Sequence, residues 1–330
     1  MNTTFNKIIG SLFILFLILL GLAYFDVPRG GGADTAVDVR NGRDPSVQNQ
    51  EMQVHFLDVG QGDSIYIRTP SEQDILIDGG PNKNVLSQLG EVMPFWDREI
   101  DVMILSHPHS DHATGLVEVL RRFDVKQIYY TGVLHTAPDY LAWLDEIKKQ
   151  ELNLKIVDQP FEIDFGEDVK LEFLYPDESF LNKKVKELNN TSIVNRLVYG
   201  ETSFLFMGDA EEEVEEHLIK ISNNQYPTTN KKLNNSTINE QTPITNNQIH
   251  LVSDVLKLGH HGSSSSSIEE FLKAVSPVLA IVQAGLDNEF GHPHLRVLER
   301  LKRLKIPILR NDQEGRILVV SNGEEIFLEQ

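Results

Sequence analysis

The pattern of apolar and polar positions predicts alternating strands and helices from about residue 51 onward. Residues 52–58 alternate like a strand and residues 74–77 predict another, whereas the apolar run 102–105 has the length of a short buried strand. The stretch after residue 112 has its apolar positions at helical spacing. The same reasoning predicts further strands at 64–68, 127–131, 154–157, 169–174, 192–199, 202–207, 252–258, 278–283, 306–309, 315–320 and 324–328, and helices at 83–93, 139–150, 211–221, 267–274 and 294–304.

The first 50 residues differ from the rest of the chain. Residues 8–25, IIGSLFILFLILLGLAYF, form an uncharged and mostly apolar run of a length that can span a bilayer. The run lacks a clean small-x-small cleavage site, which favours a signal anchor over residues 1–25 rather than a cleaved signal peptide. Lys7 precedes the run, so the positive-inside rule predicts a single-pass protein of the cytoplasmic membrane with the following chain outside. Cleavage would instead make the protein secreted, and the polar residues 26–50 indicate a flexible linker in either case.

Composition limits the chemistry of the remaining domain, residues 51–330. The chain has 330 residues and no cysteine, which excludes disulfides, thiolate ligands and any cysteine-mediated partner. Its formal net charge of -19 repels anions unless a metal ion or a basic patch reverses the field locally. Residues 222–249 are rich in Asn, Thr and Gln and poor in apolar residues, so they are predicted to be a disordered insertion.

One stretch concentrates the chemistry of the chain. Residues 107–112, HPHSDH, place three imidazoles and a carboxylate between a predicted strand and a predicted helix. Imidazole and carboxylate ligands suit zinc, manganese or iron. A polar turn that is merely rich in histidine is the alternative, and the strand-turn-helix context disfavours it. Two later predicted strands also deliver polar groups at their ends, Asp209 and the pair His260–His261.

These stretches together resemble the metallo-β-lactamase superfamily, and within it the hydrolase domain of the ComEC competence proteins. The resemblance covers about residues 52–328 and implies an αββα sandwich, in which two mixed α/β sheets are flanked by helices and the metals lie at one edge. The stretches that carry it are FLDVGQGDS (56–64), LIDGG (76–80), HPHSDH (107–112), NNTSIVNRL (189–197), FMGDAEEE (206–213), DVLKLGHHGSSSSS (254–267) and FGHPH (290–294).

The resemblance implies two divalent ions, zinc or manganese, as cofactors. Its ligand set would be His107 and His109 on the first ion, Asp111, His112 and His260 on the second, and Asp209 between them. Many members use one more histidine on the first ion, and this chain has Asn190 where that ligand would come. Asn190 is therefore a candidate substitute, and an enzyme with a single metal ion remains an alternative.

Other site residues follow from the same resemblance. His260 and His261 are alternatives for one ligand position, and the family layout favours His260, with His261 left to contact substrate together with Ser263 and Asn190. Asp78 is expected to orient a ligand imidazole from behind. Asp111 and His292 are the candidate catalytic residues, although His292 is equally well explained as a structural turn residue.

The predicted function is a metal-dependent hydrolase. The ComEC likeness indicates a phosphodiesterase or DNase related to competence-type DNA processing, with a phosphodiester such as DNA as the substrate and an activated water as nucleophile. Hydrolysis of a β-lactam or lactone is the alternative within the same class of chemistry. A metal-binding surface protein without turnover is the alternative outside it.

Overall fold

The computed structural model describes residues 38–39, 51–222, 241–244 and 249–329. The predicted signal anchor, most of the predicted linker and most of the predicted insertion lie outside these ranges. Within them, no helix is long and apolar enough to cross a bilayer.

Strands are the most numerous elements of the described fold. They are β1 Asp38–Val39, β2 Met52–Phe56, β3 Ile65–Arg68, β4 Asp74–Ile77, β5 Glu99–Ile104, β6 Asp124–Tyr130, β7 Leu154–Ile156, β8 Phe161–Gly166, β9 Val169–Tyr175, β10 Val194–Tyr199, β11 Thr202–Phe206, β12 Gln241–Pro243, β13 Val255–Lys257, β14 Leu279–Val282, β15 Ile308–Arg310, β16 Ile317–Ser321 and β17 Ile326–Glu329. The α-helices are α1 Asn84–Val92, α2 Ser110–Leu120, α3 Pro138–Gln150, α4 Glu212–Ser222, α5 Glu269–Val275, α6 Leu295–Leu304 and α7 Asn311–Glu314.

The described strands form two sheets. One has nine strands in the order β1-β17-β16-β2-β3-β4-β5-β6-β7, and the other has eight in the order β12-β8-β9-β10-β11-β13-β14-β15. Both sheets are mixed, because β4 to β7 are mutually parallel and β11, β13, β14 and β15 are mutually parallel, whereas hairpin neighbours such as β2–β3 and β9–β10 are antiparallel. This confirms the predicted mixed α/β sandwich of two sheets.

Apolar side chains on alternate positions of the central strands divide the core into layers. On β4, Ile75 and Ile77 pack between the two sheets, while Leu76 packs on the outer face of the nine-stranded sheet. That outer face is covered by α1, α2 and α3, and the outer face of the eight-stranded sheet is covered by α4, α5 and α6. Central strands that are apolar on both faces are the expected consequence of this arrangement.

Three described strands lie where none was predicted. β8 alternates buried Phe161, Ile163 and Phe165 with more exposed residues. This alternation has the period of two that is typical of a strand, but β8 is so close to β9 along the chain that the pattern does not separate the two. β12 lies inside the predicted insertion and pairs with β8, so residues 241–243 form an edge strand. β1 lies inside the predicted linker and pairs in parallel with β17.

The parallel strands explain where polar groups gather. β4 and β5 are parallel neighbours in one sheet, and β11, β13 and β14 are parallel neighbours in the other. Carboxyl ends of parallel strands meet at one edge of a sheet, where open α/β folds bind their ligands. The turns that follow these five strands carry the residues described next.

Candidate metal centre

The turn from β5 to α2 places the first group of imidazoles. His107 and His112 are buried, and His107 Nε2 lies 3.0 Å from His109 Nδ1. The turn is packed against the loop after β4, because Gly79 N donates to His112 O at 2.8 Å. A Cβ added to Gly79 would lie 2.5 Å from Leu116 N, so only glycine permits this approach of the two backbones.

His112 contacts the carboxylate of Asp78, which directly follows the neighbouring strand β4. The His112 Nδ1 lies 2.8 Å from Asp78 Oδ2, and because a carboxylate only accepts, this nitrogen carries the proton. Ser106 holds the other side of Asp78, with its Oγ donating to Oδ2 at 2.6 Å and its backbone N donating to Oδ1 at 2.8 Å. The remaining nitrogen, His112 Nε2, faces Asp209 Oδ1 at 3.3 Å.

Asp209 lies at the centre of the group. It follows β11, and its backbone N donates to Ser192 Oγ at 3.0 Å. Its Oδ2 lies 3.7 Å from His107 Nε2 and 3.5 Å from His261 Nε2, while its Oδ1 faces His112. Three imidazoles from the two sheets therefore surround one buried carboxylate.

Two groups of ligand atoms share this carboxylate. Within each group the atoms lie within 4.8 Å of one another, and the groups are Asp111, His112, Asp209 and His261, and His107, His109 and Asp209. His112 Nε2 and Asp209 Oδ1 are buried and have no hydrogen-bond partner in the described part of the chain. A buried polar atom without a partner is costly, and a divalent cation between these atoms would satisfy both. The donor set of imidazoles and carboxylates fits zinc, manganese or iron.

The electrostatics of the cluster favour added positive charge. Burial by itself would lower the pKa of His261, but the carboxylates of Asp209, Asp63 and Asp111 outweigh it and raise this pKa to about 10. His112 behaves in the same way, and its pKa lies well above the usual value. The pKa of Asp209 is held well below its usual range, because the neighbouring imidazoles outweigh the effect of burial. A divalent cation would supply the positive charge that these protons otherwise provide.

The structure places His261, and not His260, in the cluster, which corrects the preferred ligand assignment. Both residues have left-handed backbones, with φ of 46° and 53°, so the alternation of an extended strand does not apply to them. His261 Nδ1 lies 2.8 Å from Gln283 O, which leaves its Nε2 directed at Asp111 Oδ2 at 3.3 Å. His260 turns outward, is 24% exposed, and lies 2.9 Å from Glu211 Oε1 through its Nδ1.

Of the predicted substrate and catalytic residues, His292 lies beside the cluster, whereas Asn190 and Ser263 bond to residues outside it. Asn190, the candidate substitute for an imidazole, donates its amide to Glu213 at 3.1 Å and accepts from Glu211 N with its Oδ1 at 3.1 Å. The Ser263 Oγ lies 3.0 Å from Ser265 Oγ in the turn after His261. His292 is close to the cluster, with its ring centroid 6.0 Å from that of His261, and its buried Nδ1 has no partner among the described residues.

Two residues at the base of the cluster were missed as site residues. Asp63, which ends the glycine-rich part of the stretch 56–64, has its Oδ1 3.1 Å from His261 Nδ1. Lys257, the lysine of the predicted strand before His260, is wholly buried and its Nζ contacts Asp63 Oδ2. A lysine in an otherwise apolar strand was the available signal, since lysine is almost never fully buried without a partner.

Comparison with known proteins identifies the class of this fold and site. Residues 57–285 match the metallo-beta-lactamase superfamily, so the chain belongs to that superfamily. Among curated relatives, it is similar to ComE operon protein 3 of Bacillus subtilis, with 29% identity over 296 residues, covering 82% of this chain and 33% of the relative. It is also similar to Competence protein ComA of Neisseria gonorrhoeae, with 29% identity over 283 residues, covering 83% and 33% respectively.

These relatives confirm the resemblance to the superfamily and to the competence proteins. The chain spans about a third of the length of the curated relatives it matches. Among solved structures, the metallo-beta-lactamase fold protein YhfI from Bacillus subtilis is 14% identical with a TM-score of 0.44, over 79% of this chain and 96% of that one. The superfamily consists largely of hydrolases, and the site described above has the ligand types that metal-dependent hydrolysis uses.

Proposed function

We propose that this chain is a metal-dependent phosphodiesterase that acts on DNA. The observation that carries the proposal is Asp209, a buried carboxylate shared by two groups of metal-ligand atoms. Two cations held by one shared carboxylate are typical of enzymes that displace a phosphate ester in line, because both the attacking and the leaving oxygen gain a neighbouring positive charge. A carbonyl substrate requires only one polarising cation.

The residues present assign the ligands. His107, His109 and Asp209 would hold one ion, and Asp111, His112, Asp209 and His261 the other. Bound divalent ions would lower the pKa of a coordinated water to about 7 and thus supply a nucleophile at neutral pH. Zinc and manganese both suit these ligands, and a chain that loads only the second group would be a single-metal enzyme.

The surrounding residues orient the ligands and receive the substrate. Asp78 fixes the Nδ1 proton of His112, so the Nε2 lone pair remains directed into the cluster. His292 lies beside His261 with a buried and unpartnered Nδ1 within the described chain, and we assign it a contact to a phosphate oxygen. Asp111 is the most exposed ligand carboxylate, at 30%, and lies on the side from which substrate would enter.

The choice of DNA rests on the relatives. ComE operon protein 3 and Competence protein ComA carry names that connect them with competence, and a third relative, of Haemophilus influenzae, is named Recombination protein 2. The formal charge of -19 opposes long-range attraction of a polyanion. The two cations at the cluster would therefore provide the local positive charge that the chain itself lacks.

The same proposal includes a location. The apolar run 8–25 would anchor the chain in the cytoplasmic membrane, with the hydrolase domain on the outer side. Protease added to cells whose outer layer has been made permeable should then remove the domain while a cytoplasmic marker survives. Protection of the domain until the membrane is lysed would contradict this topology, and release into the medium would indicate a cleaved signal peptide.

The test of the activity uses the full chain, purified in detergent and loaded with zinc or manganese. We expect turnover of bis-p-nitrophenyl phosphate and of single-stranded DNA, and a loss of at least about a hundredfold in His109→Ala and Asp111→Ala. Asp164→Asn, on the exposed side of β8, is the matched control and should retain activity.

Each alternative function predicts a different result in the same assay. Turnover of nitrocefin or a lactone without any phosphodiester cleavage would indicate a lactam or lactone hydrolase. Metal binding without turnover of any of these substrates would indicate a metal-binding protein that is not an enzyme. Less than a tenth of a metal ion per chain after loading would exclude all three metal-dependent functions.

A further inference from the structure

Lys257 lies at the bottom of the cluster and touches groups from both sheets. Its side chain is wholly buried, and its Nζ contacts the Asp63 carboxylate from the nine-stranded side. The same Nζ donates to Gly208 O at 2.9 Å, on the residue that precedes Asp209. A buried ammonium therefore lies between the loop that carries Asp63 and the turn that carries the shared carboxylate.

Asp63 is held in place by its own loop. Its backbone O accepts from Gly80 N at 2.8 Å, beside Asp78. Gly62 packs against the backbone carbonyl of Asp111 so closely that no Cβ would fit, and its φ of 147° also favours glycine. The Asp63 carboxylate reaches His261 Nδ1 at 3.1 Å with one oxygen and lies 4.0 Å from His112 Nδ1 with the other.

Asp63 also belongs to a third group of possible ligand atoms. Asp63, Asp78 and His112 have ligand atoms within 4.8 Å of one another, which by itself would suit a cation. The Lys257 Nζ already contacts one of these carboxylates. An ammonium there compensates the carboxylate in the way that a further metal ion would.

We propose that Lys257 is the built-in cation of this third group and, acting through Asp63, a positioning residue for His261. The inference rests on the metal centre of the proposed function. The ammonium stabilises Asp63 as a buried anion, Gln283 O accepts the Nδ1 proton of His261 at 2.8 Å, and Asp63 Oδ1 lies 3.1 Å from the same nitrogen. The Nε2 lone pair is thereby directed at the two carboxylates that would share the metal ion. The third group takes no divalent ion, so this cluster binds at most two.

The test compares the full chain in detergent with Lys257→Met, Asp63→Asn and the double variant, using Co²⁺ as the probe. Affinity is measured by competition with a chromogenic chelator, and ligand geometry by the visible absorption of bound Co²⁺. We expect each of the three variants to bind about 10–100-fold more weakly with an altered spectrum, as for other residues that orient metal ligands. The losses should be equal rather than additive, because the lysine acts through the aspartate.

Controls separate this role from a purely structural one. Lys170→Met removes a partly exposed lysine of β9 that is paired with Glu162 of β8, and it should leave the metal affinity and the spectrum unchanged. All measurements are made below the melting temperature of every metal-free variant. Lys257→Met leaves the buried Asp63 without its ammonium and is the variant most at risk of not folding, whereas the double variant removes both charges and gives the same comparison.

The outcomes are distinguishable. Folded variants with the affinity and spectrum of the unsubstituted chain would overturn the positioning role while leaving the proposed phosphodiesterase intact. More than two Co²⁺ ions in the unsubstituted chain would show that the third group is a metal site and would also overturn it. An unsubstituted chain that binds no Co²⁺, zinc or manganese would overturn both proposals.

Discussion

His112 and His261 are both held by a buried carboxylate on the side opposite Asp209, but the two carboxylates are stabilised differently. Asp78, behind His112, accepts hydrogen bonds from the hydroxyl and backbone N of Ser106. Asp63, behind His261, contacts the buried ammonium of Lys257. Asp78 is therefore stabilised by neutral donors of the residue that follows the adjacent strand, and Asp63 by an ion pair that joins the two sheets.

The two carboxylates differ in the direction in which their pKa is shifted. Both are fully buried, and burial raises the pKa of a carboxyl group. The pKa of Asp78 is raised, because the proximity of His112 and the bonds from Ser106 do not outweigh burial. The pKa of Asp63 is lowered, because Lys257 first, and then His261, outweigh it. Equal burial thus gives opposite shifts of the pKa, and Lys257 is the largest of the groups that lower the pKa of Asp63.

The largest effect is expected from replacing Asp209, the carboxylate that faces His112 and His261 alike. Asp209→Asn keeps the shape of the side chain but loses the negative charge between His107, His112 and His261. We expect metal content to fall below half an ion per chain and phosphodiester turnover to fall by at least about a hundredfold. Elemental analysis after dialysis measures the first quantity, and full metal content in the variant would contradict the central position of Asp209.

The second prediction separates the two adjacent histidines. His261→Ala removes a nitrogen that faces Asp111 and Asp209, so we expect loss of the second metal ion and of activity. His260→Ala removes a rim side chain that contacts Glu211, and should leave the metal content unchanged. The pair is its own control, since both residues have the same left-handed backbone. Metal loss in His260→Ala alone would restore the assignment that the family layout favoured.

The third prediction concerns the neutral support of His112. Asp78→Asn replaces an acceptor that fixes the Nδ1 proton, and we expect about a tenfold to hundredfold loss of metal affinity. Ser106→Ala removes one of the two hydrogen bonds that Ser106 donates to Asp78 and should have a smaller effect in the same direction. Chelator competition measures both. A larger loss in Ser106→Ala than in Asp78→Asn would show that the serine does not act through the aspartate.

The smallest effect is expected at Glu215, a third buried carboxylate that can be compared with Asp63 and Asp78. Glu215 on α4 accepts the backbone N of Ser267 and of Ile268, and burial raises its pKa from 4.5 to about 7. The folded pKa exceeds the unfolded value, so the contribution of this group to stability is complete below about pH 4.5 and is lost as pH rises to about 7.

Glu215→Gln should therefore flatten the pH dependence of stability. We expect the decrease in the free energy of unfolding between about pH 5 and pH 7.5 to be smaller in the variant by up to about 3 kcal/mol. Urea titrations of the metal-free chain measure it, with Glu216→Gln on the exposed face of the same helix as the control. An unchanged pH dependence would indicate that Glu215 is ionised throughout.

Local sequence determined one half of the candidate metal centre. HPHSDH is contiguous, and a strand before it and a helix that begins within it fix how the side chains of His107 and His112 converge on one point. Asp209 was also predictable, because an apolar strand delivers it at the edge where β13 and β14 end as well. Most strands and helices were predicted for the same reason, since their alternation or helical spacing is a property of neighbouring residues.

Tertiary structure decided the other half. Sequence spacing could not distinguish His260 from His261, because the choice depends on two left-handed residues whose conformation is stabilised by contacts with Gln283 and Glu211. The pairing of Asp63 with Lys257 joins residues 194 positions apart, and no local pattern specifies it. The sequence by itself determined which side chains can bind a metal and where strands present them. Packing of the two sheets against each other decided which of these side chains meet. It also decided that the ammonium of Lys257 contacts Asp63, beside His261.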